Sequence, residues 1–170
     1  MQWIRRAVAT AMIVALCGCA PLHQGNAQQA MAQGRLDEAA EEIQKALAAD
    51  PSNLQIKHLA ADIFTRRGTT YYKNNEMLAA EDDFRRAVDY EPTYAAAYDY
   101  LGLIAFSKHD WENAMSYGEK FAGLSGESVP LYVQQAREQE RIVRAGGKSL
   151  VGSERVGHKK PPARTPRGDF

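Results

Sequence analysis

Small and apolar residues recur every three or four positions through the middle of the chain, which is the spacing of one helix face. The pattern is clearest in three stretches, and the first two of them end at a proline. The stretches begin at Gly34, Asn75 and His109, and the two prolines are Pro51 and Pro92. Proline ends a helix because its ring clashes with the preceding turn and it lacks an N–H. Clear β-strand runs are missing, so the pattern predicts an all-α fold.

A partner segment precedes the second and third stretches, which predicts helices in pairs. The partners carry Phe64, Gly68 and Tyr71 in one case, and Tyr98, Leu101, Gly102 and Ala105 in the other. The distance from Pro92 to Gly126 is 34 residues, but the distance from Pro51 to Pro92 is 41. We expect the additional residues, 54–60, to extend a helix between the first two pairs.

These pairs resemble the tetratricopeptide repeat, a helix–turn–helix unit of 34 residues. The segment 92–102 matches the family's order of proline, aromatic residue and Leu-Gly. The resemblance implies an array of about three antiparallel helix pairs within residues 34–128 and the segment just before them. The units are expected at about 20–53, 61–94 and 95–128.

Two positions depart from the family's pattern. The first helix, within residues 19–33, has only His23, Asn26, Ala27 and Ala30 where the family has aromatic, Leu and Gly residues, so a weak helix is expected there. In the third unit, Gly118 stands where a bulky residue normally packs. The sequence therefore predicts a thin place in the core at Gly118.

A further amphipathic segment, 129–145, follows the third unit and is predicted to be a C-terminal capping helix. Ser128 is a plausible N-cap, with Pro130 in the first turn. The glycine pair 146–147 ends this helix. The remaining tail, 146–170, is rich in Gly, Pro and basic residues and is expected to be disordered. It would serve to solubilise the protein or to contact anionic surfaces.

The N-terminus has the composition of an export signal. Arg5 and Arg6 precede the apolar run 7–17, which is too short to span a bilayer. The segment Leu16-Cys17-Gly18-Cys19 resembles the bacterial lipobox, which implies a signal peptide at 1–18 and a lipid on Cys19. Because residue 20 is Ala and not Asp, the resemblance implies an outer-membrane protein facing the periplasm. The alternative is a secreted soluble protein cut at Gly25-Asn26-Ala27.

Charge argues against nucleic-acid binding. The formal net charge is zero, but residues 20–145 carry 13 Lys and Arg against 19 Asp and Glu. A nucleic-acid-binding core needs a basic face to neutralise phosphates. The basic residues are instead concentrated in the tail, which carries six Lys and Arg against two acidic residues.

No arrangement of residues indicates catalysis, a metal site or a cofactor. His23, His58, His109 and His158 are not near Cys or carboxylates at metal-ligand spacing, so each is expected on the surface. The acid pairs Asp82-Asp83 and Glu41-Glu42 are interpreted as solvated helix faces. A lipidated Cys19 is not available as a nucleophile. The sequence predicts that the protein is not an enzyme.

The family resemblance implies a concave groove lined by the first helix of each unit. Thr65, Thr69 and Tyr72 would face it from the second unit, and Asp99, Leu103 and Phe106 from the third. An apolar strip at Tyr72, Leu103 and Phe106 would accept a peptide segment or a helix. The alternative is that these aromatic side chains pack within the array or against the capping helix.

The resulting expectation is an envelope scaffold that binds a protein or peptide partner and is tied to the membrane through Cys19. By analogy, its pathway would be pilus or secretion-system assembly. The alternative is an adaptor of cell-wall metabolism that docks hydrolases. The sequence leaves the partner and the oligomeric state open.

Overall fold

The computed structural model describes residues 19–146, and these form seven α-helices without a β-strand. The leader 1–18 and residues 147–170 of the basic tail lie outside the described residues. The helices are α1 (19–32), α2 (Leu36–Ala49), α3 (Leu54–Lys73), α4 (Met77–Tyr90), α5 (Ala95–Ser107), α6 (Trp111–Ser125) and α7 (Leu131–Arg144). None of the described helices is long and apolar enough to cross a membrane.

Three hairpins follow from three equivalent tight turns. Gly34, Asn75 and His109 have φ angles of 75°, 66° and 62°, in the left-handed region. Glycine enters this region without steric cost, and Asn and His enter it more readily than most other residues. The turns pair α1 with α2, α3 with α4, and α5 with α6.

The hairpins stack side by side. Each helix from α2 to α7 packs against the next, and α3 also contacts α5 while α5 contacts α7. One cluster of buried side chains extends from Ala20 in α1 to Phe121 in α6, with Phe64 and Phe84 fully buried. The predicted all-α array of three helix pairs and a capping helix is confirmed.

The predicted extension between the first two units is present. Helix α3 runs for 20 residues from Leu54 to Lys73 and includes residues 54–60 without a break. Asn53 caps it, because its side-chain oxygen accepts hydrogen bonds from the backbone N–H groups of Gln55 (3.0 Å) and Ile56 (3.3 Å).

Helix α1 is more complete than the sequence indicates. Residues 19–32 are helical, and Ala20, Ala27 and Ala30 are buried in the core. Alanine lets a neighbouring helix approach closely, so α1 packs without the large side chains that the family usually places there. Nδ1 of His23 also lies 2.7 Å from Oε2 of Glu42 in α2.

The start of α7 differs from the prediction. The helix begins at Leu131, and Pro130 occupies the N-cap position without a side-chain cap. Ser128 lies outside the helix and is exposed, so its assignment as the cap is wrong. The fixed φ of proline, here −58°, suits this position, because it directs the chain into the helix without a side-chain hydrogen bond.

The predicted thin place at Gly118 is also wrong. A Cβ built on Gly118 would overlap Cγ2 of Val133, and a Cβ built on Gly102 would overlap the phenol of Tyr132. Both of these α7 side chains are buried. The two glycines therefore form a notch in the α5–α6 hairpin that the first turn of α7 fills.

Candidate protein-interaction groove

Two open clefts lie between α1 and α3. The larger, of about 540 Å³, is lined by Gln24 and Gln28 of α1 and by Gln55, His58 and Asp62 of α3. The smaller, of about 320 Å³, is lined by Met31 of α1, the turn at Gly34, and Thr65, Arg66, Thr69 and Lys73 of α3. We refer to the two clefts together as the α1–α3 groove.

The two threonines predicted from the second unit both line the smaller cleft. Thr69 donates its hydroxyl hydrogen to the carbonyl oxygen of Thr65 at 2.8 Å. Thr65 is only 7% exposed, and its Oγ1 has no hydrogen-bond partner within residues 19–146. A buried hydroxyl without a partner lowers stability, and this one lies beneath the surface of the cleft.

Tyr72 packs within the array, on the third hairpin. Its ring lies edge-on to Tyr100, with centroids 5.5 Å apart, and Tyr100 stacks on Phe84 at 4.7 Å. Burial raises the pKa of Tyr72, and the neighbouring Tyr100 and Asp99 add to the effect. Most of this ring is therefore engaged in packing between hairpins.

Two of the three predicted residues of the third unit, Asp99 and Phe106, contact the capping helix. Phe106 is in ring contact with Trp111 at 5.3 Å and with Tyr132 at 6.3 Å. The hydroxyl of Tyr132 lies 3.4 Å from Oδ1 of Asp99. Leu103 is partly exposed. The structure thus brings Thr65 and Thr69 together in a cleft, whereas the aromatic residues pack within the array and against α7.

Sequence reasoning missed the contribution of α1 to this groove. Gln24, Gln28 and Met31 stand 41 residues before Thr65, Thr69 and Tyr72, which is the same distance that separates Pro51 from Pro92. Carrying the register of the second unit back by this distance identifies all three. The resemblance implies a lining helix in every unit, but the weak match of α1 to the family left its residues unassigned.

The charges along the groove are segregated. In the larger cleft, Oδ1 of Asp62 accepts hydrogen bonds from Nε of Arg66 (2.9 Å) and the hydroxyl of Tyr94 (3.0 Å). Burial, followed by the charge of Asp62, raises the pKa of Tyr94 to about 12, so its phenol stays a donor. In the smaller cleft, Lys73 is exposed and forms no ion pair with any described residue. The larger cleft is therefore the acidic part of the groove and the smaller cleft the basic part.

The second acidic residue of each pair corrects the sequence interpretation, because Asp83 is buried and Glu42 is only partly exposed. Asp83 is 2% exposed and forms a two-point ion pair with Arg67. Glu42 is largely buried beside His23, and hydrogen bonds from His23, then Lys45 and Asn26, lower its pKa from 4.5 to about 2.

The histidines follow the sequence interpretation only in part. His23 is half-buried against Glu42, whereas His58 and His109 are exposed; His158 lies outside the described residues. In the described part of the chain, no group of three His, Cys, Asp or Glu side chains is arranged to hold a metal ion.

Comparisons with solved structures give several similar folds. The crystal structure of MamA protein is 20% identical, with a TM-score of 0.46, and the match covers 75% of this chain and 85% of that one. The first tetratricopeptide domain of Spaghetti (RPAP3), bound to an HSP90 peptide, is 24% identical (TM-score 0.43; 74% and 91% covered). The Sgt2 domain from Aspergillus fumigatus is 20% identical (TM-score 0.44; 86% and 93% covered). No curated protein matches the sequence.

The sequence itself carries the assignment to a family. The tetratricopeptide repeat profile matches residues 25–70 and 65–128, which is more than half of the chain and extends over most of the three hairpins. Members of this family mediate protein–protein interactions and are typically not catalytic. The match and the three stacked hairpins agree, so the chain belongs to the tetratricopeptide repeat family.

Proposed function

We propose that this protein is a lipid-anchored scaffold of the bacterial cell envelope that holds a partner protein in the α1–α3 groove. The observation that carries the proposal is the open groove itself, which α1 and α3 line mainly with polar side chains. The groove is open along α3 and has room for a peptide segment.

The chemistry of the groove specifies the kind of segment it fits. Glutamine and threonine side chains line it, and these hydrogen-bond to peptide groups as both donors and acceptors. Asp62 and Lys73 stand eleven positions apart on α3, or about 16 Å at the helical rise. A matching segment places a basic side chain near Asp62 and an acidic one near Lys73.

A site-specific crosslink tests the groove. A photoreactive residue at Thr69 is expected to capture a partner in the native envelope, and Arg66→Glu to reduce that capture several-fold. Arg85→Glu is the matched control, because Arg66 and Arg85 are similarly exposed (59% and 62%) and each pairs with a carboxylate four positions earlier. Equal capture in both variants would contradict the proposed groove.

The membrane part of the proposal rests on the resemblance of residues 16–19 to a lipobox. Cys19 is exposed at the first described position of α1. Two or more acyl chains would hold the protein on the membrane, where one chain alone binds marginally. Cys19→Ser is expected to leave the protein unacylated, and an intact mass that still includes acyl chains would refute this assignment. With Ala20 following, the proposed location is the outer membrane, facing the periplasm.

The identity of the captured protein distinguishes two pathways. Subunits of a pilus or secretion channel crosslinked at Thr69 would support a role in assembling those machines. Cell-wall hydrolases crosslinked at the same position would support the alternative, an adaptor of wall metabolism.

A further inference from the structure

One edge of the array gathers all the turns that connect one hairpin to the next. Consecutive packed helices joined by short turns are antiparallel, so helices α1, α3, α5 and α7 begin at the same edge. The connecting turns 50–53, 91–94 and 126–130 lie at this edge as well. The turns within the hairpins lie at the opposite edge.

Exposed apolar side chains are concentrated at the edge where α1 begins. We call this edge the anchor edge. Among residues 19–146, the large apolar side chains exposed to solvent there are Leu22, Leu54, Leu124, Val129 and Leu131. Leu54 is 77% exposed and Leu131 is 66% exposed. At the opposite edge, only Leu78 and Val143 are comparable within the described residues. A scattered surface leucine needs no explanation, but a one-sided distribution indicates contact with an apolar phase.

Cys19 is joined to the same edge without a linker. It is helical from its first described position, and the next residue, Ala20, is 4% exposed and belongs to the main core. Acyl chains on Cys19 would therefore begin one residue from the packed array. A bilayer holding those chains would lie directly against the anchor edge.

We propose that the anchor edge rests on the lipid bilayer, with its leucine and valine side chains inserted among the headgroups and the axis of α3 directed away from the membrane. The inference rests on the proposed acylation of Cys19. It adds a fixed orientation, in which the larger cleft of the α1–α3 groove lies nearer the membrane and the smaller cleft, with Lys73, lies farther from it.

The charge of this edge selects the kind of lipid. The three connecting turns carry Asp50, Glu91 and Glu127, and none of their residues is Lys or Arg. A strongly anionic surface would repel these carboxylates, because it favours basic segments. The ammonium group of phosphatidylethanolamine can pair with them instead. The lipid surface that fits is thus a predominantly zwitterionic one.

Two labels on one helix test the orientation. Leu131 and Val143 lie near opposite ends of α7, about 18 Å apart along its axis, and the hairpin stack separates both from Cys19. Leu131→Cys and Val143→Cys would each carry an environment-sensitive fluorophore. The full-length acylated protein would be placed in vesicles of phosphatidylethanolamine with a minor fraction of phosphatidylglycerol that contain lipids with a headgroup quencher.

The label at residue 131 is expected to be quenched several-fold more than the label at 143. Adding Leu22→Asp and Leu54→Asp should remove most of this difference, whereas Leu78→Asp, equally exposed at the opposite edge, should leave it intact. Aspartate suits the first turn of a helix, so the changes at 54 and 78 spare folding.

Equal quenching at both positions in an acylated protein would overturn the proposed orientation but not the acylation. Such a protein would be anchored and would still reorient freely at the membrane surface. Intact mass of the same sample identifies the other failure. A protein without acyl chains would overturn the anchoring proposal and this inference together.

Discussion

Arg67 of α3 and Asp83 of α4 form a two-point ion pair, with Nε to Oδ2 at 2.7 Å and Nη2 to Oδ1 at 2.8 Å. Nη1 of Arg67 also lies 3.2 Å from Oδ1 of Asp37, so the guanidinium joins α2, α3 and α4. The same group lies over the Phe64 ring at 5.5 Å. Asp83 raises the pKa of Arg67, so the charge is retained throughout the accessible pH range.

Asp83→Asn is expected to destabilise the fold by about 3 kcal/mol, because it leaves the Arg67 charge without its buried partner. Urea unfolding followed by circular dichroism measures the loss. Asp82→Asn is the matched control, since Asp82 is 64% exposed in its pair with Arg86 and should change stability by less than about 1 kcal/mol. Equal losses in the two variants would show that the buried pair has no special role.

The glycine notch predicts opposite signs for two Gly→Ala changes within α6. Gly118→Ala forces a methyl group against the buried Val133 and should destabilise by about 1–3 kcal/mol. Gly123→Ala meets no atom within 4 Å and should stabilise by about 0.5–1 kcal/mol through helix propensity. Thermal unfolding of the two variants measures both. A stabilising Gly118→Ala would mean that α7 does not seat in the notch.

The lowered pKa of Glu42 predicts that the folded protein loses stability in acid. Its pKa is lowered from 4.5 to about 2 in the folded protein, chiefly by the hydrogen bond with His23. A carboxylate with a depressed pKa stabilises the fold above its unfolded pKa, and this contribution disappears as the pH falls through its folded pKa. The window is therefore from about pH 4.5 down to about pH 2.

Within that window, Glu42→Gln should lose less stability on acidification than the natural protein does. Urea midpoints at about pH 5 and about pH 2.5 test this. Glu41→Gln, at the exposed neighbouring position, should retain the natural pH dependence. If stability falls equally on acidification in the natural protein and in Glu42→Gln, the His23–Glu42 contact is not the source of the pH dependence.

Thr65→Val separates stability from binding. The substitution keeps the shape of the side chain and removes the buried, unpartnered hydroxyl, so stability should rise by about 1 kcal/mol. Because Oγ1 is shielded from solvent, capture at Thr69 should stay unchanged although the protein is more stable. Urea unfolding and the crosslinking yield measure the two effects. Reduced capture in this stabilised variant would show that the partner reaches the hydroxyl beneath the cleft.

Local patterns were sufficient to place the helices. Phe64, Gly68 and Leu101 fall on buried faces as their spacing predicts, and the turns occur at Gly34, Asn75 and His109 because the pattern restarts there. These features depend on residues a few positions apart, which periodicity records directly.

Contacts between distant residues were not accessible in the same way. Asp83 resembles its neighbour Asp82 in sequence, and only the approach of Arg67, sixteen positions away, explains its burial. Filling of the space beside Gly118 depends on the direction in which α7 returns to the array, and the sequence of α6 does not specify this. In the groove, register identified Thr65 and Thr69, but it could not show that Tyr72 and Phe106 pack on other rings.

The packing of α7 into the glycine notch limits the number of hairpins that can stack at this end of the array. Tyr132 and Val133 occupy the space beside Gly102 and Gly118, where the leading helix of another hairpin would have to dock. A second molecule cannot add its own hairpin there to prolong the superhelix unless α7 is displaced. With α7 in this place, the notch at this end of the array is closed to a further hairpin.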